Sequence, residues 1–409
     1  MVPPGTNGGA AAPSVARLSL LVVVTRDFGE LGQALYFIGG LPIEYGGLLL
    51  IPRSTPEQGA PPPGFEWRRY SCREDIEFAA RDCHPAHVLF FSAYLLLGTA
   101  PGLGLLGIGR MMRKLRQGGA AIATSDPFLG LLRSPTALHL HEIVATHLNA
   151  QPRWRVTWTS VSLAWRLFAL AHLLRPCLHL YPASIAATDP PAGLRWKHFS
   201  AGLPLEAPPE PMADTTTTPL WMFVMSRVDH DLLSAQQGPA LATLLAERLQ
   251  DAVAAGANVL MVAPQSLLST LAQHLPDLVG RGIELVETLP IAHYLAALRR
   301  AQYAFFWNRF SFSILYRVLD RTPVFFFGAG HVELMLPAFG AAGASCFYAG
   351  WIPPLRALTD TLDVSSLAFD AAAQAPRYAT AAHALRAGDK PAQVVARNNT
   401  MHFAGSGNG

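Results

Sequence analysis

Short apolar runs alternate with longer amphipathic stretches along the chain. In the first half these runs are Leu18 to Val24, Gly47 to Pro52, His87 to Leu95, Ala120 to Thr124 and Cys177 to Tyr181. Runs this short and this continuously apolar are expected of parallel strands covered on both faces, and the segments between them are long enough for crossover helices. Arg53 to Arg69 contains the dense Pro/Gly stretch Gly59-Ala60-Pro61-Pro62-Pro63-Gly64 and reads as a surface insertion between the second strand and the next helix. In the second half the alternation is cleaner. Strands are predicted at Leu220 to Met225, Asn258 to Ala263, Ile283 to Glu287, Tyr303 to Trp307, Pro323 to Phe327 and Ser345 to Tyr348. Helices are predicted at Pro239 to Ala255, Ser266 to His274, Ile291 to Ala301 and Ser313 to Asp320.

Local signals support several of these boundaries. Pro239 suits a first helical turn, Gly256 a helix C-cap, and Ser311 or Ser313 an N-cap. Between the halves, Ala201 to Pro219 collects prolines, acidic residues and the run Thr215 to Thr218, a composition that builds no core and behaves as an extended connector. The expected organisation is a disordered N-terminus over 1–16, a Rossmann-like domain over 17–203, a linker over 204–219, a second Rossmann-like domain over 220–390 and a tail over 391–409. The fold class is α/β, with two Rossmann-like domains facing across a cleft.

Composition agrees with two cores. The 409 residues exceed the roughly 250–300 at which one core stops growing, and 51% are hydrophobic against 14% charged. A net charge of +3 from scattered residues provides no field for a polyanion, so nucleic acid is not an expected partner. Cys72, Cys83, Cys177 and Cys346 form no CxxC pair, which fits a reducing cytoplasm. Met1 to Ser14 lacks the basic start of a signal peptide, so no secretion is expected. Val88 to Gly109 is uncharged and near the length of a membrane span, but Pro101 and several glycines interrupt it; a strand, a Gly-rich turn and a helix explain it better.

One segment carries a family resemblance. Leu289 to Glu333 reads LPIAHYLAALRRAQYAFFWNRFSFSILYRVLDRTPVFFFGAGHVE. It resembles the donor half of GT-B glycosyltransferases, in which a helix precedes a short strand, a polar loop opens another helix, and a Pro-Val strand ends in a Gly-rich turn. The resemblance implies a nucleotide-sugar donor. Ser311 and Ser313 at a helix start, with Asn308 and Arg309 just before them, suit a diphosphate; simple N-caps and a surface charge are the alternative. Gly328 and Gly330 let backbone approach a ligand, with His331 and Glu333 at the sugar or phosphate, unless this is a plain strand-to-helix turn. Ser226 and Arg227 end the first strand of the second half and are expected to face the cleft, with Asp229, His230 and Asp231 in a solvated loop. Many retaining GT-B enzymes carry two glutamates across the helix after the polar loop, and Ser311 to Val318 has no acidic residue, which tilts the expectation toward an inverting enzyme.

The acceptor side is read from the first half. Arg26-Asp27-Phe28-Gly29-Glu30-Leu31-Gly32 follows the first strand and is similar to the acceptor-side loop of GT-B enzymes. An inverting transfer needs a general base, and Asp27, Glu30 and Asp126 are the three candidates by position. His139, His141, Glu142 and His147 cluster, but their spacing does not match a metal motif, so neither a metal nor another cofactor is expected. Arg110, Arg113, Lys114 and Arg116 alternate with Met111, Met112 and Leu115, as in a helix end with dipole-complementing cations or in a patch that docks on a membrane. The expected activity is a metal-independent, inverting glycosyltransferase of the cytoplasm or inner membrane face. Its acceptor is a small molecule, a lipid-linked glycan or a peptide. A nucleotide-sugar epimerase and a scaffold that has lost its chemistry are the alternatives.

Overall fold

The computed structural model describes residues 18–25, 29–56, 58–91, 105–125, 178–182, 196–199, 218–309, 311, 313–328, 355–386, 391–393 and 395–396. Two parallel sheets organise them. The first half contributes β1 (Leu18–Val24), α1 (Gly29–Gly39), β2 (Tyr45–Pro52), β3 (Phe65–Tyr70), α2 (Arg73–Cys83), β4 (His87–Phe91), α3 (Leu105–Gln117), β5 (Ala121–Ser125), β6 (Leu178–Pro182) and β7 (Trp196–Phe199). The second contributes β8 (Leu220–Val224), α4 (Arg227–Gln237), α5 (Ala240–Ala254), β9 (Asn258–Val262), α6 (Gln265–His274), β10 (Ile283–Val286), α7 (Ile291–Arg300), β11 (Ala301–Phe306), α8 (Ser313–Leu319), β12 (Val324–Phe327), β13 (Leu355–Arg356) and α9 (Val364–Arg386).

The first sheet has the order β3-β2-β1-β4-β5-β6-β7 and the second β10-β9-β8-β11-β12-β13. In each, strand order reverses beside the first strand of its half, between β1 and β4 and between β8 and β11. That is the doubly wound arrangement, whose ligand crevice lies at the carboxyl ends of the strands at the switch point. The α/β fold with two Rossmann-like halves is therefore the observed one.

The central strands are buried because both faces are covered. Residues Leu20 to Val24 of β1 and Val88 to Phe91 of β4 are almost wholly shielded from solvent. In the second sheet the two-residue period divides the cores. Met222, Ala304, Phe306, Val324 and Phe326 face α7 and α8, whereas Trp221, Phe223, Phe305, Phe325 and Phe327 face α5 and α6. On the latter face, Phe305 stacks on Phe223 with ring centres 4.5 Å apart and on Phe327 at 5.3 Å. Such aromatic pairs each contribute about 0.5–1.5 kcal/mol beyond area burial. Close strand approach decides one residue: a Cβ at Gly47 would lie 1.9 Å from the Leu20 carbonyl oxygen. Gly256 takes φ +81° just beyond α5, as expected of a helix-ending glycine.

Three expectations need correction. The segment Arg53 to Arg69 is not wholly an insertion, because Phe65–Tyr70 pairs along β2 as β3. An edge strand needs only a few inward side chains, and here Phe65 and Tyr70 are the buried ones, so Glu66, Arg68 and Arg69 hid its character. Asp229, His230 and Asp231 lie in helix α4 rather than a loop. Strand β7 was also not anticipated. The expected strand Ser345 to Tyr348, the linker core, the N-terminal segment and Cys177 and Cys346 lie outside the described residues. Among those described, no helix is long and apolar enough to cross a membrane.

Candidate functional site

Loops at the switch point of the second sheet gather most of the expected donor residues. Ser226 follows β8 and caps α4: its hydroxyl oxygen accepts from the Asp229 backbone N–H at 3.1 Å and donates to the Asp229 carboxylate at 2.5 Å. Asp229 is fully buried, so this pair shapes the β8–α4 turn. Arg227 is exposed, and its contact with Asp231 at 3.9 Å is too open and solvated to hold it. Across the switch point, Asn308 and Arg309 are half-buried just after β11. A tight turn follows, in which the Ser311 N–H donates to the Asn308 carbonyl at 3.2 Å and the Ile314 N–H to the Ser311 carbonyl at 3.1 Å.

Ser313 opens α8, and its hydroxyl lies 2.7 Å from that of Tyr294 on α7. Burial pushes the Tyr294 phenol up to about 12, so it stays protonated and gives the serine a fixed neighbour. The serine expected to be a simple cap or a phosphate ligand is thus oriented by a tyrosine that sequence reading passed over. One strand further along, Gly328 ends β12 with φ +61°, a conformation natural for glycine, and its N–H donates to the Arg356 carbonyl at 2.8 Å. Gly330, His331 and Glu333 lie outside the described residues.

On the first sheet, Asp27 and Asp126 also lie outside the described residues. Their neighbours show how the carboxyl edge is built. The Thr25 hydroxyl donates to the Phe91 carbonyl at 2.8 Å, tying the end of β1 to the end of β4 across the switch point. The buried Gln33 amide donates to the Ser125 hydroxyl at 2.8 Å, joining α1 to the end of β5. The Tyr70 hydroxyl donates to the Val24 carbonyl at 2.8 Å. Burial raises the Tyr70 phenol above its usual range, and the nearby charge of Glu30 raises it further. Glu30 therefore sits in the first turn of α1, close to this edge. The signal for Thr25 and Ser125 was present in the sequence: each is a polar residue directly ending an apolar strand.

The two switch points belong to one neighbourhood. Tyr316 of α8 donates to the Gly32 carbonyl of α1 at 3.0 Å, and its ring meets that of Tyr36 edge-on with centres 5.7 Å apart. This contact joins the helix that follows β1 to the helix that follows β11. Elsewhere, Met111, Met112 and Leu115 of α3 are buried in the first core, and Lys114 pairs with Glu77 at 2.6 Å, leaving Arg110 and Arg113 exposed. The apolar side of α3 thus faces the domain's own core. The His139 to His147 cluster lies outside the described residues; among those described, no group of three or more His, Cys, Asp or Glu side chains is placed to hold a metal ion.

Two parallel Rossmann-like sheets with adjoining carboxyl edges define the GT-B fold, and the chain has it. Solved structures bear this out. A UDP-glucose:anthocyanidin 3-O-glucosyltransferase in complex with UDP superposes with a TM-score of 0.53 at 11% identity, over 95% of this chain and 99% of that one. A protein assigned as a UDP-N-acetylglucosamine 2-epimerase from Listeria monocytogenes superposes with a TM-score of 0.52 at 10% identity, over 96% of this chain and 98% of that one. No family model matches the sequence. No curated protein matches it either.

Proposed function

We propose that the protein is a glycosyltransferase that holds a nucleotide sugar against the second domain and an acceptor against the first. The observation that carries this reading is the gathering of Ser226, Asn308, Arg309, Ser311 and Ser313 on the two loops that flank the β8–β11 switch point. Open α/β sheets take their ligands there, and serine hydroxyls, an asparagine amide and a guanidinium suit a diphosphate. That one of the structures of similar fold is a glucosyltransferase in complex with UDP supports a nucleotide donor.

In the proposed reaction the acceptor oxygen or nitrogen attacks the anomeric carbon while the bond from that carbon to the diphosphate oxygen breaks. A carboxylate, Asp27, Glu30 or Asp126, takes the acceptor proton, and single inversion follows from attack opposite the leaving group. Arg309 and the hydroxyls of Ser311 and Ser313 offset the charge that develops on the departing diphosphate. None of these roles requires a metal.

The test is a panel of nucleotide sugars read by thermal shift and by nucleotide diphosphate release with mixed acceptors. Stabilisation by one donor together with acceptor-dependent release is expected. No response to any nucleotide would sink the reading. The epimerase of similar fold supports a second reading. In that case the sugar nucleotide interconverts with no acceptor present, which chromatography of the sugar product distinguishes.

A further inference from the structure

Gln58 and Tyr316 each bridge the two domains. The Gln58 side-chain oxygen accepts from the Ile291 backbone N–H at 2.9 Å, across 233 positions of sequence. Ile291 is the first residue of α7, and Pro290 before it offers no side-chain cap. Helix starts leave unsatisfied N–H groups that a neighbouring side-chain oxygen ordinarily takes up. Here the cap comes from the other domain. Its orientation is set locally, because the Gln58 amide nitrogen donates to the Pro56 carbonyl at 2.9 Å and so turns the oxygen outward.

The segment that carries Gln58 is braced on the first domain. The Arg69 guanidinium donates to the carbonyls of Arg53 at 3.0 Å and Thr55 at 2.5 Å, and the Trp67 indole donates to the Gly59 carbonyl at 2.9 Å. The Arg53 N–H returns to the Tyr70 carbonyl at 2.8 Å. A stretch read from its prolines as a surface insertion is therefore anchored at both ends to β3. The second bridge, Tyr316 to Gly32 with its ring on Tyr36, stands on a different helix of the second domain and a different element of the first.

We infer that these two contacts are a latch that holds the domains together, with the Pro-rich segment between β2 and β3 as its strut. Helices α7 and α8 are linked through Tyr294 and Ser313, so they move as one body, and α1 and the strut are both fixed to the first sheet. A rotation that separates the domains breaks both bridges together. The inference rests on the fold and not on the proposed chemistry.

Hydrogen–deuterium exchange on the intact chain tests it without any substrate, so glycosyl transfer can fail while the latch stands. Where reclosing is fast, amide exchange follows the open population. Tyr316→Phe keeps the ring and removes one hydrogen bond, which is expected to raise the open population about fivefold. The peptide containing the Ile291 amide should then exchange about fivefold faster, although the phenol does not contact Gln58. Gln58→Ala should accelerate exchange in α1 to a similar degree. Gln58→Glu keeps an acceptor for the Ile291 N–H but loses the bond to the Pro56 carbonyl, so its effect on α1 should fall between those of the wild type and Gln58→Ala. Exchange in α6, away from both bridges, should not change. The inference is overturned if each substitution alters only its own contact, if Gln58→Glu opens α1 as Gln58→Ala does, or if α6 accelerates equally.

Discussion

Replacing Arg317 with methionine should unfold the second domain far more readily, although no ion-pair partner is lost. Arg317 is fully buried on α8. Its guanidinium donates to the carbonyls of Leu298, Ala301 and Pro323, each at 2.7 Å, and to that of Gln302 at 3.3 Å. Leu298 lies in the last turn of α7, where carbonyls have no partner within the helix, so one side chain joins the end of α7, the start of β11 and the approach to β12. Burial lowers its pKa to about 10, with the charges of Tyr378 and Asp320 offsetting part of the fall, and the group remains charged at neutral pH. That net shift corresponds to a penalty on the charged form on the order of 3 kcal/mol, which methionine would relieve. Against it stand three short hydrogen bonds from a charged donor, at about 1.5–3 kcal/mol each. The balance is a net loss of about 1.5–6 kcal/mol, or on the order of 10 °C in melting temperature for a domain of this size. Chemical denaturation followed by tryptophan fluorescence measures it, since Trp221 and Trp307 are buried in this domain. Lysine should recover only part of the loss, because one ammonium does not span carbonyls on three elements. A change below about 1 kcal/mol for Arg317→Met would refute the reasoning, because it would mean that the carbonyls find other partners.

Other consequences are as direct. Gly47→Ala should destabilise the first domain by more than about 3 kcal/mol, since a Cβ 1.9 Å from the Leu20 carbonyl forces the central strands apart; loss of soluble protein or a large fall in melting temperature checks this. Burial raises the Asp320 carboxyl, and Arg299 at 3.3 Å only partly opposes that. The folded state thus holds this proton more tightly than the unfolded one, and the group's contribution to stability falls as pH rises through the window above its ordinary value of 3.8. Asp320→Asn should therefore gain relative to the wild type between pH 4 and pH 7 in paired denaturation curves, and no change with pH would contradict the sign. If the donor reading is right, Arg309→Ala should weaken nucleotide diphosphate binding about tenfold or more by calorimetry while leaving the melting temperature within a few degrees.

Much of the fold was legible because burial on both faces leaves a plain mark. Strands such as Leu220–Val224 and Val324–Phe327 are unbroken apolar runs, and helix α5 repeats Leu241, Leu245 and Leu249 along its buried face. The same logic explains the misses. Edge strand β3 buries only its ends, and α4 begins Arg227-Val228-Asp229-His230-Asp231 with a single apolar residue, so neither carries a full apolar pattern. The candidate donor-side residues were legible because helix starts after strands are marked locally by Ser, Asn and Arg. The residues that orient them were not, because Tyr294 reads as an ordinary core aromatic.

What the sequence by itself determined is the succession of strands and helices and hence two Rossmann-like halves, since short-range periodicity and turn chemistry decide where such elements begin and end. Only the tertiary structure decided the pairings between distant positions. Gln58 meets Ile291, Tyr316 meets Gly32, and Arg317 gathers carbonyls from three elements. A hydrogen bond depends on distance and direction in space, and neither is encoded in the local pattern around a glutamine, a tyrosine or an arginine.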